Sequence, residues 1–218
     1  MKRHLRAASG AARIGRPPEL TLDSQKGASL VVSLLMLIGV MLLGLSASQI
    51  ALQGEKASRN DRDRQIAFQA AEAALLDAEL DIENSPDPAR SRSKLFSKEH
   101  GHAFIAGCGS GASNPYLGLC ARAAEGAVPA WIAIDFLNHS KASVSVPFGT
   151  FTGQNFPTGQ GSLPAGPPRY ILELIPSNRP GESAELSDRT HLYRVTAIGF
   201  GMRDATRVVL QTFYRKEE

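Results

Sequence analysis

Residues 28–85 read ASLVVSLLMLIGVMLLGLSASQIALQGEKASRNDRDRQIAFQAAEAALLDAELDIENS, and the way this stretch divides decides the fold. From Ala28 to Gly54 no side chain carries a charge. Its core, SLVVSLLMLIGVMLLGLSA, is long enough to cross a hydrocarbon layer of about 30 Å as a helix. Charge returns at Glu55, yet the helical pattern continues. Ala67, Phe68, Ala71, Ala74, Leu75, Ala78 and Ile82 recur at spacings of three and four, with Arg62, Gln65, Gln69, Glu72 and Asp77 between them. No proline interrupts Ala28 to Ser85, and the cluster Asn84-Ser85-Pro86-Asp87-Pro88 then supplies two residues that cannot continue a helix. The pattern predicts one continuous helix of roughly 80 Å at 1.5 Å per residue. It would span a membrane over 28–54 and be amphipathic over 55–85, with Ala67, Phe68, Ala71, Leu75, Ala78 and Ile82 as its packing face. Gly39, Gly44 and Gly54 weaken it by about 1 kcal/mol each, which lipid or close packing has to offset.

Upstream, residues 1–27 hold Lys2, Arg3, Arg6, Arg13, Arg16 and Lys26 against only Glu19 and Asp23. Removing these six basic and two acidic residues from the totals of 24 and 21 leaves 18 against 19. The net charge of +3 therefore comes from the N-terminus, and the rest of the chain has no basic footprint for nucleic acid. The positive-inside rule puts the N-terminus in the cytoplasm and the remainder in the periplasm, although Lys56, Arg59, Arg62 and Arg64 soften the contrast. A cleaved secretory signal is the competing reading, with Ala47-Ser48-Gln49 as a mimic of its site. Its apolar core would normally run about 7 to 15 residues, shorter than here.

Downstream, residues 86–218 predict one head. Cys108 and Cys120 are the only cysteines, and in an oxidising compartment such a pair reads first as a disulfide, contributing about 3 kcal/mol. Zinc held by Cys108, Cys120, His100 and His102 is the alternative, without paired C-x-x-C spacing. Residues 86–169 read as loop-rich, with a weak strand pattern at Trp131–Phe136 and a long irregular excursion over Gly149–Pro168. Tyr170–Ile175, Leu192–Ile198 and Thr206–Tyr214 predict an antiparallel meander, with Gly199–Asp204 as a connecting turn. Tyr193, Val195 and Ala197 share a face with Val208 and Leu210 or with Val209 and Phe213, depending on register. An apolar sheet face needs cover, and the helix stripe can supply it. The expected fold class is α+β: a long N-terminal helix packed on a C-terminal antiparallel sheet.

The run QKGASLVVSLLMLIGVMLLGLSA at 25–47, followed by GEKASRNDRDRQIAFQAAEAALLDAE at 54–79, resembles the N-terminal region of PilX-type minor pilins of Gram-negative type IV pili. Gly118-Leu119-Cys120, Pro129-Ala130-Trp131 and the closing YRVTAIGFGMRDATRVVLQTFY are similar to later parts of the same family. The resemblance implies a class III leader over 1–27, removed by prepilin peptidase between Gly27 and Ala28, and N-methylation of Ala28. It also implies partners among other minor pilins and pilus assembly proteins, a tip adhesin among the candidates, and no cofactor. Major pilins carry phenylalanine first and glutamate fifth in the mature chain, whereas this sequence has Ala28 and Val32. The missing glutamate resembles tip-type minor pilins and equally the K-type minor pseudopilin of type II secretion. The latter usually carries a larger inserted domain.

A search for catalytic constellations finds no H-E-x-x-H, G-x-S-x-G or Walker loop. The glycines of Gly107-Cys108-Gly109-Ser110-Gly111 do not follow a strand and open a helix. His100-Gly101-His102 reads as a solvated loop, and Arg62-Asp63-Arg64 as a solvated collar beyond the apolar segment. A membrane-anchored enzyme or binding module thus lacks a nominee for its chemistry. The expectation is a non-catalytic subunit without metal.

Overall fold

The computed structural model describes residues 28–138, 140, 142–176 and 191–216. It contains one long helix, α1 (Ala28–Glu83), running through both the apolar and the charged stretch. The chain separates into two compact units that divide between Gln53 and Gly54.

In the first unit the helix is long and apolar enough to cross a membrane, and none of residues 28–53 is buried. Three of its serines are satisfied within the helix. The Ser33, Ser46 and Ser48 hydroxyls donate to the carbonyls of Leu30, Leu42 and Gly44 at 2.9, 2.9 and 3.0 Å. That leaves a surface compatible with hydrocarbon.

The second unit joins the charged part of α1 to the head. Beyond Glu83 the chain turns at the expected proline cluster, where the Ser85 hydroxyl donates to the Phe151 carbonyl at 2.6 Å. Short 3-10 turns follow at Ser93–Leu95 and Lys98–Ala103. Next come β1 (Leu119–Ala121), the one-turn helix α2 (Ala130–Ala133), β2 (Val146–Pro147), β3 (Arg169–Pro176), β4 (His191–Phe200) and β5 (Arg207–Tyr214). The sheet order is β1-β3-β4-β5, with β2 also pairing β3. β3, β4 and β5 form the expected meander. β1 adds in parallel and β2 antiparallel, both on β3.

Register is settled by Val195↔Thr212, Ala197↔Leu210 and Gly199↔Val208. Tyr193, Val195 and Ala197 therefore share their face with Val208 and Leu210. On that face Tyr170, Leu172, Tyr193, Val195 and Ala197 pack with Ala74, Ala78 and Ile82 of α1 and with Phe96 and Phe104 of the 3-10 region. Tyr193 stands edge-on to Phe96 (5.5 Å) and stacks on Phe104 (5.8 Å). The sheet also has a second covered face, which the alternating pattern did not announce. There Ile171, Ile198 and Phe200 bury against Cys108, Cys120 and Phe136, with Trp131, Ile134 and Val144 alongside.

Two expectations are corrected. Trp131–Phe136 is not a strand: Pro129 starts a helical turn in which the Ala133 and Ile134 amides donate to the Pro129 and Ala130 carbonyls. The weak alternation was a misread helical spacing, since residues 130, 131 and 134 all turn toward the second core. Gly199–Asp204 is a turn only from Gly201 onward. Gly199 and Phe200 extend β4, because the strand continues along α1. A Cβ on Gly199 would lie 2.1 Å from the Ala67 carbonyl oxygen and 2.3 Å from the Ala71 nitrogen. Only glycine lets strand and helix backbones approach so closely.

Candidate assembly site: the docked face of the helix

The buried face of α1 is built from Asp63, Ala67, Ala70, Ala71, Ala74, Asp77, Ala78, Asp81 and Ile82. Steps of four and three residues carry this row from Asp63 to Asp81, so three carboxylates share one helix face with the alanines. Burying a carboxylate is costly unless donors meet it. Each of the three is met by a different part of the head.

Asp63 accepts from the Met202 amide (2.6 Å), Arg203 Nε (2.8 Å) and the Thr206 hydroxyl (2.6 Å), all in the β4–β5 turn. Burial pushes its pKa up. The hydrogen bonds from Thr206, Arg203 and Met202 outweigh that, and the net value is lowered. Gly201 leaves room for this contact, since a Cβ there would sit 2.2 Å from Asp63 Oδ1.

Asp77 accepts from the Gly149 amide at 2.8 Å and from the Thr152 hydroxyl, holding the start of the irregular excursion. Here burial prevails and the pKa is raised, with repulsion from Asp81 adding to it against the two hydrogen bonds. Gly149 itself has φ +76, and a Cβ would collide with the Gln154 carbonyl.

Asp81 receives Arg92 side-on, with Nε at 3.0 Å and Nη2 at 2.6 Å, and the Tyr170 hydroxyl at 2.8 Å. Arg92 also donates to the carbonyls of Pro115 and Leu117, and its guanidinium lies 3.6 Å from the centroid of the Phe151 ring. Burial and the Asp81 charge raise the Tyr170 pKa well above its ordinary value, so the phenol stays protonated as a donor. A bidentate, planar arginine with all three nitrogens engaged is the arrangement in which a buried ion pair is tolerated. A fourth tie, Tyr214 to Glu83 at 2.8 Å, fastens β5 to the end of the helix.

Of the residues marked by the sequence, Ala67, Ala71, Ala78 and Ile82 are buried in this face, and Leu75 packs partly against the main core. Phe68 is not part of it: 43% exposed, it stands on the side shared with Gln65, Gln69 and Glu72. Aspartate, not phenylalanine, completes the row. Asp63 likewise is no solvated collar residue, and Asp77 is no surface spacer. Cys108 and Cys120 form a disulfide, which removes the thiolates the zinc alternative needed. Among the described residues no cluster of three or more His, Cys, Asp or Glu could hold a metal. Ala28 opens α1, while Gly27 lies outside the described residues. The contacts missed from sequence carried one usable signal: Asp63, Asp77 and Asp81 fall in phase with the alanine stripe, where a solvated charge has no place.

A helix that can serve as a membrane anchor and dock a disulfide-bonded α+β head is pilin-like architecture. Two family models match the chain: PilX N-terminal over residues 26–76, and type IV pilus assembly protein PilX C-term over residues 116–216. Comparison with curated proteins and with solved structures finds no match. The first match covers the apolar helix and most of the docked face, and the second covers every strand of the sheet. Both halves of the architecture thus lead to one assignment, and the chain belongs to the PilX family of type IV pilus assembly proteins as a minor pilin.

Proposed function

We propose that this minor pilin is held in the inner membrane by residues 28–54, with its N-terminus cytoplasmic and residues 55–218 periplasmic, and that it primes pilus assembly from a tip-proximal complex of minor pilins. In this reading residues 1–27 are a leader that prepilin peptidase removes between Gly27 and Ala28. The part played is structural, and pilus subunits, with a tip adhesin among them, are the partners.

The observation that carries the tip-proximal position is Val32. Through its first turns α1 bears no ionisable side chain, and Val32 is an exposed apolar residue there. A subunit buried within a shaft has to neutralise the N-terminal ammonium of its neighbour in an apolar surround, where an unpaired charge costs several kcal/mol. Val32 cannot do so, whereas a subunit at the end of the fibre escapes part of that demand.

Immunogold labelling of pili from cells carrying this chain is expected at or near one end, and Val32→Glu is expected to spread label into the shaft. Even labelling of the shaft by the wild-type chain overturns the tip position. Mass spectrometry of the membrane form is expected to show Ala28 as first residue when prepilin peptidase is active, and an intact Met1 overturns the leader reading. A deletion strain is expected to lose twitching while secreting exoproteins normally.

A further inference from the structure

Where the charged part of α1 begins, Lys56, Arg59 and Arg62 recur every third residue on one side of the helix, and the β4–β5 turn adds Arg203 to the same groove beside Asn60 and Met202. Asp63 forms its floor. That carboxylate is already engaged by Arg203, Thr206 and the Met202 amide, and Glu55 pairs with Arg59 in an exposed position. Arg62 is steadied by the Ser162 hydroxyl at 2.9 Å. Lys56 and Arg62 form no ion pair among the described residues, so the groove keeps a positive excess.

We propose that this groove seats the phosphate of an anionic phospholipid headgroup in the leaflet from which the head emerges. The proposal rests on the reading of 28–54 as the membrane span. Two features favour lipid over a soluble anion. The uncharged run Ala28–Gly54 rises roughly 40 Å as a helix, close to the ~40–45 Å of a bilayer with its headgroup layers, so the first cations surface at headgroup depth. Helical side chains also lean toward the N-terminus of their helix, which aims Lys56, Arg59 and Arg62 back toward the span.

The test places the full chain in bilayers of phosphatidylcholine containing a minority of phosphatidylglycerol and reads the lipid retained after delipidation by native mass spectrometry. Phosphatidylglycerol is expected to be enriched over phosphatidylcholine, with about fivefold of preference lost per cation removed. Lys56→Gln alone lowers the enrichment, and Lys56→Gln with Arg59→Gln and Arg62→Gln brings it near parity. Arg64→Gln, on the groove of Phe68 and Glu72, leaves it unchanged. The proposal is overturned by parity in the wild type, as when an acidic face of another pilin is the true occupant. It is equally overturned by an Arg64→Gln loss as large as that of Lys56→Gln, or by displacement of the lipid with inorganic phosphate beyond the effect of chloride at equal ionic strength. Carbonate extraction separates the two levels. A chain that leaves the bilayer overturns the span itself, whereas one that stays but shows no lipid preference overturns only the headgroup seat.

Discussion

The two stretches of α1 are made of the same secondary structure and solve opposite problems. Over 28–53 the helix presents leucine, isoleucine, valine and methionine outward on all sides and buries none of them. Over 54–83 it buries alanine and aspartate with a single large apolar side chain, Ile82, and leaves Phe68 and Leu76 exposed. Large apolar side chains suit a partner that is fluid and accepts any contour. Small ones suit a partner that is solid, because they allow backbones to close and leave affinity to directed hydrogen bonds. Hydrophobic bulk alone therefore misidentifies the docked part of this helix.

The sharpest way to break the contrast is to remove one directed contact. Asp81→Ala strands Arg92 among buried groups and takes the acceptor from Tyr170. It is expected to cost about 3–5 kcal/mol, read as a drop in the denaturation midpoint of the detergent-solubilised full chain. A charge in the first stretch tests the other half. Leu37→Arg is expected to cost about 2.5–3.5 kcal/mol of insertion, seen as loss from the carbonate-resistant membrane fraction, while Ala57→Arg leaves that fraction unchanged. Backbone approach comes next. Gly199→Ala pushes a methyl into the Ala67 carbonyl and is expected to cost about 1–3 kcal/mol. Gly54→Ala meets nothing within 4 Å and is expected to stabilise the helix by up to about 1 kcal/mol.

The smallest effect separates two carboxylates of the same face by pH. Asp63 has a lowered pKa in the folded chain, so its contribution is full above the ordinary carboxylate value near 3.8 and fades as pH falls through the lowered one. Asp77 has a raised pKa, so its contribution is full below 3.8 and fades as pH rises through the raised value. Stability measured across this range is expected to lose its acid-side fall in Asp63→Asn and its fall on rising pH in Asp77→Asn. Identical profiles for the two variants would abolish the distinction.

Much of this was legible in the sequence. The apolar run, the stripe of alanines and the proline stop give α1 to within two residues of its C-terminal end, and β-branched runs bounded by turn residues give β3, β4 and β5. The additions were not. β1 and β2 are too short to show alternation, and their pairing with β3 depends on residues 53 positions away for β1 and 22 to 24 for β2. The second covered face hides because Ile198 reads as an outward member of an alternating strand, and Phe200 as part of a turn, until residues between 108 and 144 pack over them. The carboxylates escaped for a related reason. Asp63 is unremarkable beside Arg62 and Arg64 unless its donors, 139 to 143 residues further on, are known. Spacing alone can flag such a residue, but not name what satisfies it.

That separation bears on the order of events during biosynthesis. The helix leaves the ribosome first, yet Asp63 has no cation until Arg203 arrives, 140 residues later, and Glu83 waits for Tyr214. Contacts so distant along the chain close slowly. A chain stopped before its last two strands would already have partners for Asp77 and Asp81 but none of these for Asp63 and Glu83, so the two ends of the docked face are the last to be sealed.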